Sequence, residues 1–239
     1  MDASYTNNAE LDWPAHYRRL ASSARDPRLQ AFYRQGTIAG DTPLGEVPFV
    51  ALDFETTGLR LERDEIISIG LVPFDLQRIR LRESRYWLLK PRRGLTDTSV
   101  PFHGITHSEL DGAPRLGELL GDLLAAMAGQ VVVAHCRQIE RGFLDASLRR
   151  LLGEGIAFPV VDTMALEGLL YRRGLLPQLK RLFGIRPVSI RLAESRSRYN
   201  LPHYGQHHAL TDAVATAELL QAQIRHRYDA QTPLSEICY

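Results

Sequence analysis

The chain has 239 residues, enough for one large domain or one domain with an extension, and its 44% hydrophobic and 24% charged content is that of an ordinary globular protein. A net charge of +1 excludes the global basic field of a dedicated duplex-binding module. Two distant cysteines, Cys136 and Cys238, exclude a disulfide framework and a cysteine-based zinc site. The polar start (Asp2, Asn7, Asn8, Glu10) and the lack of any apolar run of roughly eighteen residues lead us to expect a cytoplasmic protein with no membrane contact.

Residues 1–46 carry Trp13, Tyr17, Leu20 and Ala21, then Leu29, Phe32 and Tyr33, near helical spacing and broken at Asp26-Pro27. They read as a helical N-terminal extension of one or two short helices, packed on the main domain or serving as a docking arm. The main domain is expected over 47–228 and a tail over 229–239. A strand at 48–54 leads into a turn at Thr56–Arg63. Ile66, Ile67, Ile69, Leu71 and Val72 predict a second, buried strand. Residues 78–90 alternate polar and apolar, as an exposed antiparallel strand does. After a loop at 91–112, a helix is expected over Leu116–Ala128, a short strand over Val131–Ala134 and a helix over 138–152. In that helix Ile139, Phe143, Leu144, Leu148 and Leu151 face the core. A last strand at Phe158–Thr163 precedes helices at 164–171 and 175–184. An irregular Arg- and Ser-rich loop spans 186–206, and an amphipathic helix closes the domain at 208–227, with Leu210, Val214, Ala217, Gln221 and Ile224 on its apolar face. Antiparallel strands first and β-α-β-α afterwards predict an α/β fold, a mixed sheet with helices on its faces.

Three segments carry chemistry. Asp53-Phe54-Glu55-Thr56-Thr57-Gly58 ends the first strand, and because residues i and i+2 point to one face, Asp53 and Glu55 aim two carboxylates into one small volume. Like charges that close repel and lose hydration, so a hard divalent ion is the expected companion. At the other end of the chain, Asp212 lies early in the closing helix. His207, five residues earlier, stands about 140° away if both are helical, so it is expected on the loop, free to swing over the site. Third, Glu140 borders the core face of the 138–152 helix, where it is either a paired structural charge or a further site carboxylate. His203, His207 and His208 lack the helical spacing of a zinc site.

Together these segments resemble the DEDDh 3′→5′ exonucleases, a group with a ribonuclease H-like fold that includes the proofreading epsilon subunit of bacterial replicative DNA polymerase. The resemblance covers residues 47–226. Asp53 to Gly58 matches the first motif, His207-x4-Asp212 the third, and His103-Gly104-Ile105-Thr106 the segment before the first long helix. The second motif departs: Cys136 stands where the family has Asn, and Glu140 where it has Asp, with Asp145 as a rival. The resemblance implies a five-stranded mixed sheet, two Mg²⁺ or Mn²⁺ ions at Asp53, Glu55, Glu140 and Asp212, and His207 as the general base that activates water. It also implies substrate contacts at Phe54, Thr56, Thr57, Gly58 and His103, with Phe102 or Tyr204 stacking on a base. The partners implied are nucleic-acid 3′ ends, single-stranded DNA ahead of RNA, and a polymerase or other protein partner. The motifs alone leave two alternatives open: an RNA-end exonuclease, or a weakly catalytic nuclease fold acting as a binding subunit.

Overall fold

The structure is a computed structural model, and it describes residues 11–92, 104–171, 187–205 and 207–238. The expected helix at 175–184 and the substrate candidates Phe102 and His103 therefore lie outside the described residues.

Two short helices begin it, α1 (Trp13–Ser23) and α2 (Pro27–Arg34). Each is started by an aspartate whose carboxylate accepts a first-turn N–H, Asp12 from Ala15 and Asp26 from Arg28, followed by a proline in the first turn. The sheet then forms from β1 (Phe49–Thr56), β2 (Ile66–Phe74) and β3 (Arg85–Leu88). A short helix α3 (His107–Leu110) and the longer α4 (Leu116–Met127) lead to β4 (Val131–Ala134). Helix α5 (Arg137–Leu152), β5 (Val160–Asp162), α6 (Thr163–Tyr171), α7 (Leu192–Arg198) and α8 (Ala209–Arg227) complete it. The strand order is β3-β2-β1-β4-β5, with β1 antiparallel to β2 and parallel to β4. This is the expected five-stranded mixed sheet.

Strand alternation divides the core into two layers. Val50, Leu52 and Phe54 face one side and pack with α1, α2, α4 and α5. Phe49 and Ala51 face the other and pack with α6 and α8. Asp53 and Glu55 share the parity of Phe49 and Ala51, so both acids point to the α8 layer.

The N-terminal arm is built into the domain. Trp13, Tyr17, Leu29, Phe32 and Tyr33 are buried in the first layer. Glu154, just beyond α5, accepts the backbone N–H groups of Arg25 and Asp26, which fixes the α1–α2 turn. The chain after α8 zips onto the arm: Leu44 N–H donates to Thr232 O at 2.9 Å, Leu234 N–H to Thr42 O at 2.9 Å and Ser235 N–H to Gly40 O at 2.8 Å. Cys238 then bridges to Val161 of β5.

Several expectations are corrected. The strand expected over 78–90 is confined to Arg85–Leu88. Asp75 accepts N–H groups from Gln77 and Arg78 and pairs with Arg80, and this tight turn replaces extended pairing. The loop over 186–206 contains α7, because its arginines reach buried acceptors that a sequence pattern does not reveal. Leu151 is exposed rather than in the core. The buried face of α8 differs from the expected stripe: Leu210, Val214 and Gln221 are only half-buried, while Ala209, Ala213, Ala215, Thr216, Leu219, Leu220 and Gln223 are buried beside Ala217 and Ile224. Among the described residues no helix is long and apolar enough to cross a membrane.

Candidate active site

The site forms where β1 ends. The β1–β2 register is regular up to Glu55↔Ser68 and then shifts, so that Thr56 pairs with Ile66. A bulge at this point bends the strand end and re-aims its side chains. Opposite Asp53 lies Gly70. A Cβ at Gly70 would stand 2.2 Å from the carbonyl of Ala209 and 2.3 Å from the amide of Leu210. Only glycine lets the first turn of α8 settle onto β2, and that contact carries Asp212 to the strand acids. A glycine inside an Ile-rich strand was the available signal, and sequence reasoning missed it.

Glu55, His207 and Asp212 converge, each offering one ligand atom within 4.8 Å of the others. His207 is not free to swing. It has a left-handed backbone (φ 67°), and its N–H donates to Asp212 Oδ2 at 2.9 Å. The next residue, His208, starts α8 and stacks on Tyr86 of β3 with ring centroids 4.6 Å apart. The backbone of His207 is therefore tied to the helix that carries Asp212.

Glu140, the candidate of the second motif, is buried. It is 2% exposed, and its Oε2 has no hydrogen-bond partner. Burial raises its pKa, and the like charges of Asp162 and Glu55 add to the rise. Asp53 is pushed well above the carboxylate range by desolvation, then by Glu140, Asp212 and Glu55. Glu55 is pushed up to about 7 by burial and by Asp212. Asp212 is raised by burial, against the opposing pull of His207 and His208. Among the described residues, the charges acting on Asp53 and Glu55 are those of other acids. Asp145, the rival, is spent elsewhere: it pairs with Arg149 and accepts the N–H of Ile156. The donor set thus fits divalent metal: oxygen ligands from several elements, one imidazole, an unpartnered buried oxygen, and repulsion that a cation would relieve.

The turn after β1 is closed by its own bonds. Thr56 Oγ1 donates to Gly58 O at 2.7 Å, Thr57 N–H to Glu65 O at 2.9 Å, and Glu65 N–H to Thr57 Oγ1 at 3.0 Å. The space a Cβ on Gly58 would take is filled by the carboxylate of Asp64, 2.5 Å away. Phe54 is corrected too: its ring is buried in the first core layer, facing away from the acids. Tyr204, one of two rings named for stacking, donates its hydroxyl to Glu218 and lies under Arg196.

Sequence reasoning also missed Asp162. Its Oδ1 accepts the N–H groups of Met164 and Ala165, starting α6. The same carboxylate accepts the N–H groups of Cys136 and Arg137, starting α5. One side chain thereby caps two helices and sets the helix that carries Glu140. An Asp-Thr pair before a helix is a cap signature. Cys136 has a left-handed backbone (φ 108°) where the chain turns from β4 into α5.

Residues 50–220 match the RNase_T family, described as Exonuclease. The chain belongs to that exonuclease family. It is 33% identical over 180 residues to the DNA polymerase III subunit epsilon of Treponema pallidum, covering 75% of this chain and 78% of that one. It is 31% identical over 182 residues to the PolC-type DNA polymerase III of Thermotoga maritima, of which it spans only 12%. Among solved structures, the nuclease domain of 3′hExo, a DEDDh family member bound to rAMP, superposes with a TM-score of 0.61 at 16% identity, covering 75% of this chain and 92% of that one. The sheet is accordingly the ribonuclease H-like sheet of an epsilon-like exonuclease, a hydrolytic nuclease.

Proposed function

We propose that this exonuclease works in the 3′→5′ direction, releasing nucleoside 5′-monophosphates from single-stranded DNA ends in repair or proofreading. The observation that carries the reading is the convergence of Glu55, His207 and Asp212 beside the unpaired acids Asp53 and Glu140. Asp53, Glu55, Glu140 and Asp212 would hold Mg²⁺ or Mn²⁺, two ions in this reading, which when bound supply a lowered water pKa and stabilise the charge on the phosphate.

His207 takes the proton of the attacking water on its ring nitrogen, and an imidazole suits this role near neutral pH. Asp212 ties the backbone of His207 to α8 through the His207 N–H. The closed turn from Thr56 to Glu65 shapes one side of the cleft, where Thr56, Thr57 and Gly58 contact the terminal nucleotide. His103 belongs to the same proposed set of substrate contacts.

The DNA reading is supported by the likeness to a DNA polymerase subunit, and a polymerase or other protein partner belongs to it. The test compares a 3′-labelled single-stranded DNA with a matched RNA and a 5′-labelled DNA. Label released at once as 5′-monophosphate from the 3′-labelled DNA, and more slowly from RNA, is the expected result. Faster release from RNA, or first release from the 5′ end, overturns it.

A further inference from the structure

Beside the site, α7 and the loop after it enclose a cavity of about 360 Å³ whose wall includes Arg196, Pro202, Tyr204, His207 and Asp212. Arg196 is the unusual member, a guanidinium only 3% exposed. It donates to Ala215 O of α8 at 2.6 Å, to Pro202 O at 2.9 Å and to Glu218 Oε2 of α8 at 2.7 Å. Its carbon lies 4.6 Å from the centroid of the Tyr204 ring, whose hydroxyl donates to Glu218 Oε1 at 2.9 Å. One buried cation thus ties α7, the loop at 202–204 and the second turn of α8 together.

His207 has a left-handed backbone (φ 67°), uncommon for a non-glycine residue. Its N–H is bonded to Asp212 of α8. The backbone of His207 is thereby tied to the same helix that Arg196 grips through Ala215 O and Glu218.

We propose that Arg196 is a positioning residue for catalysis, acting through its grip on α8, which carries Asp212, to set the position of His207. The inference rests on the reading of His207 as the base. Arg196 itself touches no reacting atom. It holds the helix to which His207 is tied, and small misplacements of a reacting group lower rates by about 10²-fold.

The test is a double-mutant cycle on 3′-labelled single-stranded DNA with Mn²⁺, comparing Arg196→Gln, His207→Ala and the double variant. Melting curves and Mn²⁺ binding are followed in parallel. In the wild-type background Arg196→Gln is expected to lower kcat by about 10- to 100-fold, with KM and Mn²⁺ affinity nearly unchanged. In the His207→Ala background the same change is expected to have almost no effect, because the residues act as a unit. Equal loss in both backgrounds makes Arg196 merely structural and overturns the proposal. So does unchanged kcat in Arg196→Gln.

If Arg196→Gln does not fold, Tyr204→Phe and Glu218→Gln, which each weaken one arm of the clamp, are put through the same cycle. Loss of kcat confined to the background that retains His207 is again the expected result, and equal loss in both backgrounds, or none, again overturns the proposal. Should His207→Ala itself leave kcat unchanged, it is the assignment of the base that fails. Loss with His207→Ala together with additivity sinks the clamp alone.

Discussion

Two buried glutamates in this molecule have opposite surroundings. Glu167, fully buried on α6, accepts from Arg198, from the hydroxyl of Tyr199 at 2.8 Å and from the amide of Gln223 at 3.0 Å. Glu140 on α5 is as deeply buried, yet it faces Asp162 and Glu55 and has an oxygen with no partner. The fold therefore supplies arginines to a buried carboxylate where the carboxylate is structural. Where β1, α5 and α8 meet, no ion pair or hydrogen bond from a described arginine reaches Glu140, and the acids stand against one another. Without metal these acids relieve their crowding by holding protons, since Asp53, Glu55 and Glu140 are all raised, and a bound cation would let them ionise.

Mutation should separate the two regions by sign. Glu167→Gln takes the counter-charge from half-buried Arg198 and is expected to destabilise the protein by about 1–3 kcal/mol, measured by urea unfolding. Gly70→Ala forces α8 off β2 and is expected to lower stability by about 1–3 kcal/mol, and activity by more than that loss explains. Equal melting temperatures for Gly70→Ala and wild type would remove the role given to that contact.

Glu140→Gln should do the reverse of Glu167→Gln and stabilise the metal-free protein by about 1 kcal/mol at pH 8, while weakening Mn²⁺ binding. The sign follows from proton binding. Glu140 stays protonated up to about 8, whereas an unfolded carboxyl ionises near 4.5. Between those values the native state holds more protons, so stability falls as pH rises. The variant should flatten that fall, and an unchanged slope would contradict the account.

A second pH effect is expected at His135, on the acid side. Burial keeps it neutral down to about 4, against 6.5 in the unfolded chain, while it bonds Thr163 and Ile190. Its contribution is complete above pH 6.5 and is lost as pH falls toward 4. His135→Gln should reduce that acid-side loss in thermal melts taken across the window.

Much of this was legible in the sequence, and for physical reasons. Asp53 and Glu55 are two residues apart on an apolar strand, so local periodicity alone places both on one face. The five strands and the long helices likewise follow from local apolar patterns. What escaped depends on partners distant in sequence. The backbone approach at Gly70 involves Ala209, the double cap at Asp162 involves Cys136 and Arg137, and α7 is fixed by Glu167, Ala215 and Glu218. The tether on His207 was missed because a helical wheel takes no account of a backbone N–H reaching a side chain from outside the helix. Glu140 was placed by alignment with a family motif, and only its burial and missing partner distinguish it from Asp145.

The central claim is that the unpaired acids form a metal-dependent hydrolytic centre. Its most direct test is mononucleotide release from a 3′-labelled single-stranded DNA, with Mn²⁺ or with chelator, by the wild type and by Asp53→Ala. The account predicts release that needs the metal and disappears in Asp53→Ala. No release by the folded wild type, or release that persists in chelator or in Asp53→Ala, would contradict it.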